Sequence, residues 1–325
     1  MIKALACKNK NSNDRMNASS GGVFILLARE IIHNGGVVYG ASFDDTFSVV
    51  HVRVTDASDL DSLCRSKYAF SAFGNAMNQC EKDLKEGRRV LFVGSPCQVS
   101  ALNRKLGRRY ENLVSVDFVC HGAPSAAAWK QYLNEISAGK QIKSVNFRDK
   151  CEGWLNYHLT IEYDDGTRYS VHHKNEPYMR AFIDNSILSE GCYSCRYKGI
   201  GTRESDITLG DYWGADTLAP EFYDEHGISL VLIHSQQGQE TIEKIASRLE
   251  SIEVDIAKAI AHNPSIVEAS QPSILRRKVK DYERKTGSLY KALRHYYHPA
   301  LFRRGLVKAY KIGLSICGLL NGGKA

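Results

Sequence analysis

Short apolar strands alternating with helical patterns predict an α/β fold: a mixed, partly parallel sheet with flanking helices, plus a basic helical C-terminal extension. Two apolar runs, Val90 to Val93 and Leu113 to Val119, carry the sheet, because each leads through a turn into a helical pattern. The distribution of charge carries the extension. The chain has 43 Lys and Arg against 36 Asp and Glu, but from Arg276 onward there are 13 Lys and Arg against only Asp281 and Glu283. The tail is therefore strongly basic and the remainder mildly acidic, so a basic partner-binding function belongs to the tail alone.

The elements follow in order. Ser19-Ser20-Gly21-Gly22 precedes Val23, Leu26, Leu27 and Ile31 at helical spacing, with the serines as N-caps and Asn34-Gly35-Gly36 as the stop. Val37 to Ala41 and Val49 to Val54 read as strands, and Asp56 to Leu63 and Ala76 to Glu86 as helices. Val90 to Val93 is a buried strand, followed by a Ser-Pro-Cys turn and a helix through Leu106; Leu113 to Val119 precedes a helix over Ala126 to Ile136. Tyr157 to Tyr163 and Arg168 to His172 form a hairpin about Asp164-Asp165-Gly166. Helices are expected over Tyr178 to Ile187 and Gln239 to Leu249, a strand over Leu230 to His234, and an edge strand over Ser251 to Ile256. Residues 1–275 read as one domain and 276–325 as the basic helical tail.

Apolar residues make up 43% of the chain and charged residues 24%, as in an ordinary soluble globular protein. Met1 to Ala18 is polar, without the apolar core of a signal peptide, and no run approaches the roughly 18 apolar residues of a spanning helix. The expected location is the cytoplasm, where nine cysteines read as reduced thiols or metal ligands and not as a disulfide framework.

Four of those cysteines are the main chemical signal. Cys97 and Cys120 each follow a strand, and Cys192 and Cys195 form a CxxC turn. Thiolates delivered from strand ends and one tight turn suit a [4Fe–4S] cluster or zinc, or else Cys97 and Cys120 are small buried residues. Cys7, Cys64, Cys80, Cys151 and Cys317 have no second partner at ligand spacing.

Other motifs admit two readings each. Ser20-Gly21-Gly22 at a helix start offers unobstructed N–H groups to a phosphate, or is a simple cap. Arg65-Ser66-Lys67-Tyr68 combines cations, a hydroxyl and an aromatic fit for a dinucleotide, or is a solvated turn. Asn146-Phe147-Arg148-Asp149-Lys150 binds an anionic substrate or is a salt-bridged strand end. In Arg203 to Gly214, two glycines flank Asp211-Tyr212-Trp213, fit for packing on a cofactor, or Asp206 and Asp211 pair with Arg203 in a core turn. His172 and His173, adjacent on a strand, are expected to face opposite sides. In the tail, Leu306, Val307, Tyr310, Leu314, Ile316 and Leu319 interleave with Lys308 and Lys311. That pattern suits an amphipathic helix on an anionic membrane or packed on protein. The apolar stripe makes nucleic acid an unexpected partner.

Taken in order, Ser20-Gly21-Gly22-Val23-Phe24, Gly35 to Gly40, Ser66-Lys67-Tyr68, Pro96-Cys97-Gln98, Cys120-His121-Gly122, Phe147 to Lys150, Cys192-x-x-Cys195 and Asp206 to Gly214 resemble one family. It is the coenzyme F420 hydrogenase/dehydrogenase beta-subunit family, and the resemblance covers roughly residues 1 to 250. It implies an oxidoreductase in which FAD exchanges a hydride with coenzyme F420 or a related carrier, and single electrons pass through a [4Fe–4S] cluster. By position Cys97, Cys120, Cys192 and Cys195 would hold the cluster, and Ser20, Gly21, Gly22, Ser66, Lys67 and Tyr68 would contact flavin. Asp206, Asp211 and His121 are candidates for proton transfer.

Two departures bear on that expectation. The chain lacks the clustered CxxCxxC ligands of a ferredoxin segment, so a ferredoxin-like or other redox protein is the expected electron partner. Cys64-Arg65 also stands where the family has Arg-Gly, removing a glycine at a point of close backbone approach. Relatives beside polysaccharide-assembly genes supply the alternative: a zinc-stabilised or cofactor-free accessory protein of surface-polysaccharide biosynthesis.

Overall fold

A computed structural model describes residues 2–297. The first half alternates as expected: β1 (Lys3–Asn9), α1 (Ser12–Asn17), α2 (Val23–His33), β2 (Val37–Phe43), β3 (Val49–Val54), α3 (Ala76–Lys85), β4 (Val90–Gly94), α4 (Pro96–Leu106), β5 (Leu113–Phe118) and α5 (Ala126–Ser137). Then come β6 (Ile142–Asp149), β7 (His158–Tyr163), β8 (Arg168–His172), α6 (Pro177–Ile183), β9 (Ile207–Asp211), α7 (Ala215–Leu218) and β10 (Ser229–Ile233). The described residues end with α8 (Gln236–Glu243), β11 (Leu249–Glu253), α9 (Ile256–His262), α10 (Arg276–Thr286) and α11 (Leu289–Tyr297).

Eight strands form one mixed sheet in the order β11-β1-β10-β9-β5-β4-β2-β3. Its centre is parallel: β2 with β4, β4 with β5, and β5 with β9. Alternation along the strands explains the two layers around it. Leu91, Val114 and Val116 join a core with Leu26, Leu27 and Ile31 of α2, whereas Val90, Phe92 and Leu113 join Leu84 of α3 and Leu102 of α4. Both faces are covered, which is why β4 reads as a continuous apolar run and why even Ser115 and Asp117 of β5 are buried. Between β4 and β5, α4 starts on a capping box of Ser95 and Gln98 with Pro96 in its first turn, and ends at Gly107 with φ of 65°.

A second, antiparallel sheet, β6-β7-β8, packs with α5, α6, α10 and α11 around Trp129, Tyr132, Phe147 and Tyr178. Val279, Leu289, Ala292, Leu293 and Tyr297 are buried in that core, so the first part of the basic region packs on the body. The expected amphipathic helix over 306–319 lies outside the described residues. Among the described residues no helix is long and apolar enough to cross a membrane.

The structure corrects several expectations. Lys3–Asn9, read as part of a polar stretch with no assigned element, is a strand hydrogen-bonded between β10 and β11, with Ala4 to Cys7 buried. Ser19 and Ser20 do not cap α2; Gly22 does, with φ of 77° and no side-chain hydrogen bond. Asp56 to Leu63 contains a 3-10 segment, Ala57–Leu63, in place of an α-helix. The helix expected over Tyr178 to Ile187 is α6, which ends before Asn185 turns to a φ of 61°. The helix expected over Gln239 to Leu249 starts earlier, because Ser235 caps it through the Gly238 N–H (3.0 Å), and α8 ends at Glu243. His172 and His173 do not face opposite sides: β8 ends at His172 and the two rings stack, with centroids 4.5 Å apart.

Candidate functional site

A cavity of about 640 Å³ lies over the carboxyl ends of the parallel strands, a size in the range of small-molecule and cofactor sites. Gly40 and Ala41 of β2, Gly94 after β4's apolar run, Phe118 to Cys120 leaving β5, and Gly210, Asp211 and Trp213 at the end of β9 all line it. Its other walls come from the start of α2, from Ser66 to Ser71, and from Arg148, Tyr157 and His173 of the smaller sheet. Phe70, Phe118, Leu155 and Ile183 are large apolar side chains that line it while remaining exposed. An apolar surface of that kind marks a binding mouth more often than a solvated face.

The topology explains how distant cysteines meet. Cys97 opens α4 just after β4 and Cys120 follows β5, and these neighbouring parallel strands deliver both to the same sheet edge. The CxxC loop is joined to the Cys120 loop by the Pro124–Leu188 bridge and by the Ser189 N–H donating to the Ala123 carbonyl (2.8 Å). Gly122, with φ of 138°, permits that approach; a Cβ there would stand 2.7 Å from Leu188 Cδ1 and 3.3 Å from Cys192 Cβ. Cys97, Cys120 and Cys192 line the cavity, whereas Cys195 does not.

The thiols nevertheless act on one another. Burial raises the Cys97 pKa, and Cys195 and Cys192 raise it further. Burial pushes Cys120 up to about 12, with Lys198 opposing and Cys97 and Cys192 reinforcing the shift. Lys198 is the cation of the group, and its sequence signal is its place three residues after the CxxC. Burial lowers its pKa while Cys120, Cys195 and Cys192 raise it. Every described cysteine is a free thiol, and no three His, Cys, Asp or Glu residues among those described stand close enough to hold a single metal ion. Four soft donors with a lysine beside them nonetheless match the chemistry of a thiolate-held, net-negative cluster.

The Ser-Gly-Gly and Ser-Lys-Tyr segments meet across the cavity wall. Ser19 Oγ accepts from the Ser66 N–H (2.5 Å) and from Ser66 Oγ (2.9 Å), while Ser20 Oγ donates to the Ile228 carbonyl (2.7 Å). Ser20, Gly22, Ser66, Lys67 and Tyr68 line the cavity and Gly21 does not. Gly21 is needed for packing: a Cβ there would lie 2.3 Å from the Cys7 carbonyl and 2.7 Å from Ser229 N. Lys67 donates to the carbonyls of Cys64 (2.9 Å) and Arg65 (3.2 Å), and burial pushes its pKa down to about 8. Arg65 has φ of 70°, a left-handed turn at the position where the family resemblance expects glycine. Its guanidinium reaches Asn17 at 3.1 and 3.3 Å.

On the smaller sheet, Arg148 Nη1 donates to Asp211 Oδ2 (2.6 Å), and Trp154 Nε1 donates to Asp211 Oδ1 (3.1 Å). Trp154 stacks on Trp213 with centroids 5.0 Å apart. Lys150 donates to the carbonyls of Arg15 (2.8 Å), Ser20 (3.0 Å) and His226, tying the smaller sheet to the segment before α2. Of the proton-transfer candidates, Asp211 and His121 line the cavity and Asp206 does not. Asp206 is buried just before β9, accepting from Ser115 N (2.9 Å) and Oγ (2.8 Å) of β5, Ser235 Oγ (2.6 Å) after β10 and Arg109 (3.1 Å). Nor do Asp206 and Asp211 pair with Arg203, whose partner is Asp117 at 2.9 Å.

The family model for the C terminus of the coenzyme F420 hydrogenase/dehydrogenase beta subunit matches residues 87–257. The chain belongs to this family. All four candidate cluster cysteines and Arg148 fall within the matched span of this beta-subunit family, while residues 20–22 and 66–68 precede it. A chain of the F420-reducing [NiFe] hydrogenase complex from Methanosarcina barkeri has a similar fold, with a TM-score of 0.55 and 14% identity over 87% of this chain and 92% of that one. None of the curated proteins matches the sequence.

Proposed function

We propose that this beta-subunit relative is a flavin- and iron–sulfur-dependent oxidoreductase that works with a separate redox protein. The observation that carries the reading is the convergence of two groups on one cavity: Cys97, Cys120 and Cys192, and Ser20, Gly22, Ser66, Lys67 and Tyr68. Bound there, FAD would supply hydride exchange and a [4Fe–4S] cluster one-electron transfer, the chemistry belonging to the cofactors.

The chain's own residues have distinct tasks in this reading. Cys97, Cys120, Cys192 and Cys195 hold the cluster as thiolates, with the Lys198 cation offsetting their charge. Gly22 opens the start of α2, where backbone N–H groups face a phosphate without a side chain in the way. Ser66, Lys67 and Tyr68 bind and orient the nucleotide, and the exposed Phe118, Leu155 and Ile183 cover a flat apolar ring and keep water from it. Family membership supports the redox class, and the hydride carrier is coenzyme F420 or a related small molecule.

Anaerobic purification of the full chain tests this directly. Iron, acid-labile sulfide and flavin are expected together, with broad visible absorbance. A colourless protein without iron or flavin refutes the proposal, and one zinc per chain turns the reading to a zinc-stabilised accessory role.

A further inference from the structure

Arg148 has a part in this cavity that neither the cluster nor the fold uses. Its side chain is 2% exposed, yet it lines the cavity. Only one end of the guanidinium is engaged, Nη1 with Asp211 at 2.6 Å. Nε and Nη2 are buried without a hydrogen-bond partner. The Tyr68 side chain lies close enough to share a side-chain hydrogen bond with the group, but no partner at full hydrogen-bond geometry reaches Nε or Nη2.

Those two nitrogens are the adjacent pair on one edge of the guanidinium, the fork that grips two oxygens side by side. The plane is already fixed, since the group lies 4.6 Å from the Tyr157 ring centroid and 5.4 Å from that of Trp213. The backbone helps to aim it. The β6–β7 register shifts between Asn146 and Asp149, so Phe147 and Arg148 are both buried although successive strand residues normally alternate. Charge favours an anion over a neutral acceptor. The guanidinium keeps its charge beside Asp211, whereas burial pushes the Lys150 pKa down to about 7, and Asp224, the other carboxylate near Lys150, is paired with Arg15 at 3.1 Å.

We propose that the free edge of Arg148 is an anion subsite of the cavity, taking a two-oxygen group, carboxylate or phosphate, of a small-molecule ligand. The group belongs either to the nucleotide cofactor of the proposed function or to a separate anionic substrate, and the subsite itself does not depend on that reading.

Calorimetric titration of full-length, flavin-free protein with inorganic phosphate and with succinate tests the subsite. Arg148→Gln should weaken binding of at least one probe tenfold or more. Arg148→Lys, which keeps a charge beside Asp211 but lacks the fork, should also weaken it, and melting curves verify that both variants are folded. Parallel titrations with FAD and riboflavin identify the source. Weakened FAD with unchanged riboflavin assigns the anion to the nucleotide phosphate; two unchanged flavins with lost probe binding assign it to a separate substrate. If the folded variants bind both probes as tightly as the natural protein, or the natural protein binds neither, the subsite is wrong. If neither flavin binds, the flavin reading falls while the anion titration still decides on Arg148.

Discussion

Replacing Glu176 with Gln should abolish a pH dependence of stability that the natural chain carries between about pH 4.5 and 7. Glu176 is fully buried at the start of α6, where its carboxylate accepts from the Met179 N–H (2.6 Å), the Tyr169 hydroxyl (3.2 Å) and the Tyr132 hydroxyl. Burial raises its pKa from 4.5 to about 7, outweighing those hydrogen bonds, which lower it. Below pH 4.5 both folded and unfolded chains hold the proton. Between 4.5 and 7 the folded chain holds it more tightly, so stability falls as pH rises, and above 7 the loss is complete. A shift of this size corresponds to roughly 3 kcal/mol at about 1.4 kcal/mol per pKa unit. Gln is neutral throughout and removes the slope. Urea unfolding at pH 5 and pH 7.5 measures most of it: the natural chain should lose roughly 2.4 kcal/mol more than Glu176→Gln across that interval. Parallel pH profiles for the two proteins would refute the reasoning. The consequence reaches the cavity, because Phe182 and Ile183 at the other end of α6 line it.

Three more outcomes are expected. Gly21→Ala should cost at least roughly 3 kcal/mol or prevent folding, since its Cβ meets backbone of both β1 and β10; a near-natural melting temperature would contradict the packing argument. Arg65→Gly should stabilise the chain by about 1 kcal/mol by relieving the left-handed conformation, less whatever the two exposed bonds to Asn17 contribute. Chemical denaturation of the two proteins decides its sign. Cys120→Ser should abolish iron retention after anaerobic purification while Cys80→Ser, whose thiol on α3 is buried with residues of β4 and α4 in a core that the CxxC does not join, should keep it; equal iron in both variants would remove Cys120 from the ligand set.

How much of this was legible in the sequence depends on whether a feature is local. Strand β4 was legible because both faces are covered, so that Val90 to Val93 are all apolar; β5 was legible from Leu113, Val114, Val116 and Phe118 although Ser115 and Asp117 interrupt it. Once they are read as neighbouring parallel strands, Cys97 and Cys120 must emerge at one edge. Strand β1 was not legible: its apolar run is only Ala4 to Cys7, lysines flank it, and the partners that make it a strand are residues 229–233 and 249–253. The role of Gly21 was misplaced for a related reason. A glycine beside another at a helix start looks like an opening for a ligand, whereas the carbonyl of Cys7 and the N–H of Ser229 are what exclude a side chain there. Arg148 stood out as part of a polar and aromatic cluster, but an unpaired guanidinium edge depends on the β6 register shift and on Asp211, more than 60 residues away in sequence.

The turn at Arg65 bears on how family resemblance should be weighed against residue identity. Loss of the glycine before Ser66-Lys67-Tyr68 argued, from sequence, against close backbone approach at that wall. The backbone nevertheless adopts φ of 70°, and Ser19 holds the following Ser66 through both its N–H and its hydroxyl. An arginine in that conformation costs about 1–2 kcal/mol relative to an ordinary one. The surrounding contacts must therefore impose the turn, since residue preference opposes it. The turn is held against local preference by its contacts, and Arg148 is a second local cost facing the same space, since its unpaired edge is buried there.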